Sequence, residues 1–581
     1  MAEKESVVFL TMPTSGSGSL WRLITAIGGP SYKPIKITED LENSGKGSEI
    51  PNWAPDPAGH LFMYNTPHFV NSHFASPEVK LITNFRDPRD LACNQFYWAQ
   101  QHPILNRTEE EIAAIRRSVA ERGIDDFVAK IDNNSLFNSL RALAPRLSSR
   151  DPKILYLSYS QLCLDFDNLI QKLIAFLEVP ASSVPYALLE KERTVNLDKN
   201  PHWIGQVWTG TDILPGRYRR ELSKATISII DRKYQESLKF VRSFELPSLR
   251  PLLATEAERP EMERVFVGHD NELFLKNDAN DTLAQITGRL QLSLSDLTRI
   301  AMAHQNRQLF GATIARFDYC HALIPSKEVA HRKLLPESVA FEQYGLRPIQ
   351  QYLAQGLGRV WEPFYEPKTL EPLNDKKFYP ATDSHWNHQG AFRYLGALLS
   401  NKLPKLAARM EEIPLRHFAG RQQGDLGQKL EIPPETIEIV APQRGQARLI
   451  FENGINNEGC IRWYRNPGVA DGSCAFVMHD SFTLWLLGIL PELFSEVVFS
   501  HGTVFDYEFV RRLRPDAVLC IQVERFFSRV PETGGDLLQY VAKEEAEKKA
   551  VRKFADFLAD EPRFAGKSAG LAVDQKLTVS A

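Results

Sequence analysis

Apolar residues gather in short continuous runs, separated by longer stretches at helical spacing. Ser6 to Met12 reads as a buried strand, and Leu20 to Ile27 as the start of a helix. Val79 to Phe85 and Ile154 to Ser158 predict further strands, and Leu169 to Leu177 has the apolar spacing of a helix. Alternating strand and helix imply a parallel α/β sheet. The alternation breaks between Glu245-Leu246-Pro247 and Arg259-Pro260-Glu261, a segment rich in Pro and charge without a period, which predicts a domain boundary. It resumes at Val265-Phe266-Val267-Gly268 and continues through Cys474 to Met478, Val497-Val498-Phe499 and Ala517 to Ile521. Asp536 to Phe557 is charged with a helical pattern, and the chain beyond Gly566 loses its period. The expected fold class is α/β in two domains, residues 1–250 and 262–535, followed by a helical and mobile tail at 536–581.

Length agrees with that division. At about 150 residues per domain, 581 residues make three to four units or two large ones. The composition, 43% hydrophobic and 24% charged with a net charge of −3, does not point to nucleic acid or a membrane surface as a general partner. The polar start Met1-Ala2-Glu3-Lys4-Glu5-Ser6 is unlike a signal peptide. The longest apolar candidate, Trp485 to Leu490, is far short of the roughly 18 residues of a membrane span. Six scattered cysteines, at 93, 163, 320, 460, 474 and 520, argue for reduced thiols and against a zinc site or disulfide frame. The expectation is a cytoplasmic protein without metal or transmembrane segment; its oligomeric state is open.

The first predicted strand runs into Pro13-Thr14-Ser15-Gly16-Ser17-Gly18-Ser19 and then a helix. A strand, a Gly/Ser loop and a helix start can point backbone N–H groups at an anion, although taken alone an ordinary capped turn explains the loop equally well. It is not a Walker loop, because no Gly-Lys-Ser/Thr follows. A second strand, Lys80 to Phe85, ends in Arg86-Asp87-Pro88-Arg89-Asp90, where an arginine can fork onto a phosphate.

In this order the two segments resemble the sulfotransferases that use 3′-phosphoadenosine-5′-phosphosulfate (PAPS). Tyr156-Leu157-Ser158-Tyr159-Ser160-Gln161-Leu162 with Phe176-Leu177, and Pro215-Gly216-Arg217-Tyr218-Arg219-Arg220, extend the likeness over about residues 6 to 240. The resemblance implies a P-loop-like parallel-sheet fold and PAPS as cofactor. It places Thr14, Ser15, Gly16, Ser17, Gly18 and Ser19 at the 5′-phosphosulfate, and Arg86 and Asn94 at the 3′-phosphate, with Asn94 where the family has Ser. Arg217 and Arg219 lie in the segment that closes over the nucleotide. It implies His68 as base for the acceptor hydroxyl, with His73 behind it. The family's loop Lys or Arg is Thr14 here, so a cation must come from Arg22 or elsewhere.

In the second half, the strand Cys474 to Met478 ends in His479-Asp480-Ser481-Phe482, and far upstream stands Asp383-Ser384-His385-Trp386. A serine at a strand end suits a nucleophile, and an Asp-x-His pair suits its base and orienting carboxylate. Each piece alone is more often a turn or a cap. Together they resemble the alginate O-acetyltransferase branch of the SGNH hydrolases, with Gly replaced by His479. Gly268 to Leu275, Ile324-Pro325-Ser326-Lys327-Glu328, Gly424-Asp425-Leu426, and Arg514-Pro515-Asp516 through Val523-Glu524-Arg525 follow in family order, over about 262 to 530. The resemblance implies an SGNH-like α/β/α fold with Ser481 as nucleophile, His385 as base and Asp383 as its orienting acid, and acetyl-CoA or another acyl thioester as donor.

The expected function is bifunctional: sulfation and O-acyl transfer onto hydroxyls of a small-molecule or glycan acceptor. The rivals are a sulfotransferase with a degenerate binding module, favoured by His479; an acyltransferase or esterase with an inactive sulfotransferase fold, favoured by Thr14; and a non-enzymatic glycan-binding protein.

Overall fold

The computed structural model describes residues 4–12, 14–29, 31–36, 59–64, 80–101, 107–149, 151–193, 213–276, 278–372, 377–532 and 534–564. The chain divides into two compact units, Met1–Met262 and Glu263–Ala581.

The first unit is mixed α/β around a parallel sheet. Its strands are β1 (Val7–Thr11), β2 (Lys33–Lys36), β3 (His60–Tyr64), β4 (Lys80–Phe85) and β5 (Ile154–Ser158), ordered β2-β3-β1-β4-β5. Every pairing is parallel. Successive side chains of a strand point to opposite faces, so Val8 and Leu10 enter one core with Leu81 and Phe85, while Val7 and Phe9 enter the other with Ile82. Strands β1 and β4 are neighbours, with Thr11 opposite Asn84. The loop after β1 and the Arg86 segment after β4 therefore emerge side by side at the carboxyl edge, where open α/β sheets bind ligands.

The two units divide just past the predicted boundary segment, between Met262 and Glu263, and the segment itself packs on the first unit. Pro247–Leu253 forms a 3₁₀ helix whose Leu253 joins the first unit's core. The carbonyls of Leu252 and Ala254 accept from the buried Arg89. The Pro-rich stretch forms a tight helical turn, and the first unit runs on to Met262 rather than stopping at 250.

In the second unit the strands are β6 (Val265–Val267), β7 (Leu273–Leu275), β8 (Asp318–Ile324), β9 (Leu415–Gln422), β10 (Glu435–Pro442), β11 (Arg448–Glu452), β12 (Ile461–Arg465), β13 (Cys474–His479), β14 (Glu496–His501) and β15 (Ala517–Val523). Six of them make one sheet in the order β11-β12-β14-β13-β15-β8. The pairings among β14, β13, β15 and β8 are parallel, and β12 and β11 add an antiparallel edge. Strand β13 is buried throughout: Ala475 and Val477 face one core, and Cys474, Phe476 and Met478 face the other. Strands β9 and β10 form a separate antiparallel hairpin.

The helical pattern expected from 536 forms two helices, and they pack into the second unit's core. Helices Leu537–Glu547 and Phe554–Asp560 bury Leu537, Val541, Phe554 and Leu558 in the same core as Phe451, Trp463 and Phe509. Their apolar stripe needs a partner, and the sheet supplies one; residues 565–581 lie outside the described residues. Among the described residues, no helix is long and apolar enough to cross a membrane.

Candidate functional sites

In the first unit, the chain leaves β1 through Thr14 at φ 57° and Gly16 at φ 81°, and enters helix Ser17–Gly28. Gly16 is required on two counts. Its backbone is left-handed, and a Cβ there would meet Leu162 and Tyr159 at 3.0 Å. The side chain of Ser15 faces inward: its Oγ donates to the Met12 carbonyl at 2.6 Å, and Asn84 Nδ2 donates to both its carbonyl and its hydroxyl at 2.9 Å. Ser15 therefore braces the loop, and the Ser17, Gly18 and Ser19 amides open the helix, where first-turn N–H groups have no partner within the helix.

Arg86 lies beside this loop. Its Nη1 donates to the Thr14 carbonyl at 2.7 Å, its guanidinium sits 3.9 Å above the Tyr159 ring centroid, and it is only 4% exposed. Its Nε and Nη2 are buried and have no hydrogen-bond partner among the described residues. Two unpaired guanidinium donors held against an anion-type loop fit a nucleotide phosphate, whose oxygens would satisfy them. Asn94 and Arg217 are brought together, with Nη1 donating to the Asn94 Oδ1 at 3.3 Å. Asp90 fixes the segment bearing Arg217 by accepting from the Gly216 and Tyr218 amides at 2.7 and 3.1 Å.

Other expectations fare differently. Arg219 turns Nη2 to the carbonyls of Pro251, Leu252 and Ala254 at 3.4–3.5 Å and pairs with Glu256, so its partners are those of a structural residue. Arg22 does not supply the missing loop cation. It forks onto Glu192 at 2.6 and 2.8 Å and touches Ser19 Oγ at 3.2 Å, so its charge is already countered. His68 and His73 lie outside the described residues.

In the second unit, β13 ends at His479, and Asp480 shapes the turn that follows. Asp480 Oδ1 accepts from the Phe482 amide at 2.8 Å, and Oδ2 accepts from the Val523 amide at 2.6 Å, tying the turn to the end of β15. This sets the half-buried Ser481 at the head of the short helix Ser481–Leu486. His385 reaches it from a distant segment: Nε2 is 2.8 Å from Ser481 Oγ, and Nδ1 is 2.8 Å from Asp383 Oδ1. Trp386 Nε1 donates to the Phe482 carbonyl at 2.8 Å, locking the two segments together. The Trp485 ring stacks on the His385 ring, centroids 5.1 Å apart and planes 22° apart.

Asp383 has further support. Gln422 Nε2 donates to its Oδ2 at 2.6 Å. Burial alone would raise this carboxyl, but the hydrogen bond and charge of His385 outweigh burial and hold it at about 2. Asp425 accepts from the Ser384 amide and hydroxyl at 2.7 and 2.8 Å, and burial together with the Asp383 charge pushes its own carboxyl up. Asp383, His385 and Asp425 have potential metal-ligand atoms within 4.8 Å of one another. With Nδ1 hydrogen-bonded to Asp383, the arrangement is that of a proton-holding pair with a carboxyl neighbour. Gln422 and Trp485 carried no sequence signal, whereas Asp425 sat in a quoted motif without a role.

His479, standing where a glycine was expected, makes its contacts away from His385 and Asp383. Its Nδ1 lies 2.7 Å from the Asp480 carbonyl, its ring is 3% exposed, and it packs against Phe499 and His501.

Three solved structures share partial similarity with the chain. Bacillus cereus PatB1 is 14% identical over 48% of this chain and 99% of its own, with TM-score 0.33. The O-acetyltransferase domain of Pseudomonas putida AlgJ is 16% identical over 49% and 99%, with TM-score 0.30. Mouse sulfotransferase SULT7A1, solved with PAP, is 17% identical over 41% and 85%, with TM-score 0.29. No curated protein matches the chain. Residues 57–209 match the family model of the sulfotransferase domain.

Proposed function

We propose that the chain is a bifunctional transferase that modifies hydroxyl groups, with a sulfotransferase domain in residues 1–262 and an SGNH-like acyltransferase or esterase domain in 263–564. The single observation that carries the acyl half is the continuous chain Ser481 Oγ to His385 to Asp383, with both hydrogen bonds at 2.8 Å. His385 Nε2 takes the Ser481 proton as Oγ attacks the acyl carbon, and returns it to the departing alcohol or thiol as that bond breaks. The acceptor hydroxyl then gives its proton to His385 as it attacks the acyl carbon, and His385 passes that proton to Ser481 Oγ as the acyl–serine bond breaks. The Ser481 N–H, at the head of its turn, donates to the developing oxyanion. Asp383 holds the imidazole with its proton on Nδ1 and balances the charge it gains. The acyl donor is an activated ester or thioester, with acetyl-CoA as one form.

The sulfuryl half rests on the family match over 57–209 and on the unpaired donors of Arg86. PAPS, when bound, supplies an activated sulfuryl group. Arg86 and Asn94 bind the 3′-phosphate, the amides from Ser17 to Ser19 bind the 5′ end, and His68 accepts the acceptor proton. The acceptor is a small molecule or glycan. Incubating the protein separately with labelled PAPS and with an activated acyl ester, each with a panel of sugar acceptors, tests the two halves independently. A second reading, in which the first unit binds nucleotide without transferring sulfate, is favoured by Thr14 in the loop and by the engagement of Arg22 with Glu192.

A further inference from the structure

The segment Pro380–His385 carries both Asp383 and His385, yet it belongs to no helix or strand. Regular secondary structure would have satisfied its peptide groups, so something else must. Lys327, fully buried, points Nζ at three of its carbonyls: Pro380 at 2.6 Å, Ala381 at 2.9 Å and Asp383 at 3.2 Å. Glu435, on β10, takes the opposite polarity. Its carboxylate accepts from the Ala381 amide at 3.1 Å, from the Thr382 amide at 2.7 Å and from the Thr382 hydroxyl. The remaining Thr382 carbonyl accepts from the Gly427 amide at 2.8 Å. The fit there is close enough that a Cβ on Gly424 would lie 2.1 Å from it. Lys327 is itself held by the buried Glu272 at 3.0 Å.

We infer that Lys327 and Glu435 are positioning residues for acyl transfer: one ammonium and one carboxylate grip the carbonyl and amide sides of one strap and set the distance from His385 to Ser481. This rests on the reading of Ser481, His385 and Asp383 as a catalytic unit. A triad side chain on irregular backbone is only as well placed as that backbone, and a misplacement of about 1 Å costs roughly 100-fold in rate. Among the described residues, Lys327→Met leaves the Asp383 carbonyl without a donor, the Pro380 carbonyl with only the Asp383 amide at 3.5 Å and the Ala381 carbonyl with only the Leu273 amide at 2.8 Å. Glu435→Gln replaces one acceptor oxygen with a competing donor.

The test uses the full chain with a small activated acyl ester, and in parallel the low-field proton resonance of a His385 Nδ1–H bound to Asp383. Both variants are expected to lower kcat by about 100-fold with KM changed less than about threefold, and to lose or broaden the low-field resonance. Glu438→Gln, on the same hairpin but exposed and paired with His417, is the control and keeps wild-type values. If Lys327→Met fails to fold, Glu435→Gln decides. A folded Glu435→Gln with wild-type kcat and an intact resonance overturns the inference, as does an equal loss in Glu438→Gln. A wild-type protein that shows the resonance but turns over no ester, with the resonance lost in Glu435→Gln, upholds the positioning and removes the acyl-transfer reading instead.

Discussion

His385 Nε2 lies 2.8 Å from Ser481 Oγ, although 96 positions separate the two residues. The approach is built from both ends. Asp480 ties the serine turn to β15, and Trp386 binds the histidine segment to the same turn. A hydrogen bond of that length joins a nucleophile to its base before substrate arrives.

Residues that act as one unit are not additive. Ser481→Ala and His385→Ala are each expected to remove nearly all turnover of an acyl ester, and the double variant little more. Steady-state rates of the three variants check this. A double variant much slower than either single one would show that the residues act separately.

Arg86 keeps two guanidinium nitrogens without a partner among the described residues. A charged hydrogen bond contributes about 1.5–3 kcal/mol, so Arg86→Ala is expected to weaken binding of adenosine 3′,5′-bisphosphate by at least roughly tenfold. Titration calorimetry reads it directly, and unchanged affinity would move the phosphate site elsewhere.

Arg89, three residues on in the same motif, has the opposite character. It is fully buried, forks onto Asp87 at 2.7 and 3.0 Å and reaches Asp231 at 2.8 Å. Removing one partner of a buried ion network leaves uncompensated charge, so Arg89→Met should destabilise the first unit by about 3–5 kcal/mol. Urea unfolding followed by a probe in that unit measures this. A loss under about 1 kcal/mol would contradict the structural role.

Two of the histidines that burial holds down in the second unit, His479 and His501, contribute a pH dependence that substitution can isolate. Burial pushes His479 down to about 3, with His501 adding to it, and burial pushes His501 down to about 4. The unfolded chain takes up protons near pH 6.5, while the folded one does so only near 3–4. Stability from these residues is thus complete above about pH 6.5 and is withdrawn as pH falls toward 4, each residue contributing up to about 1.4 kcal/mol per pH unit. Unfolding midpoints between pH 7 and 5 should decline, and less steeply in His479→Asn, where no group titrates. Equal slopes would show that His479 is already charged in the fold.

The polar elements that carry motifs were readable in the sequence because their neighbours are local: a strand end, a Gly/Ser loop, an Asp two residues before a His. The sheet strands β1, β4, β5, β13, β14 and β15 announced themselves by apolar runs. What escaped was partner choice across the fold. Nothing in the sequence around Glu435 or Gln422 says that a hairpin brings both to the Pro380–His385 strap. Arg22 looked free to serve the loop, but Glu192, 170 residues away, holds it. The polar average at 247–253 and 537–560 hid the burial of one face of each segment, so their packing into the two cores was not legible.

Ser481 as the acyl-carrying nucleophile is tested most directly by mass spectrometry of the intact protein, quenched at short times after mixing with an activated acyl ester, followed by peptide mapping. One acyl group per chain is expected, on the peptide containing Ser481, absent in Ser481→Ala and strongly reduced in His385→Ala. An acyl group found on another residue, or one that forms on Ser481 at the same rate without His385, would contradict that assignment.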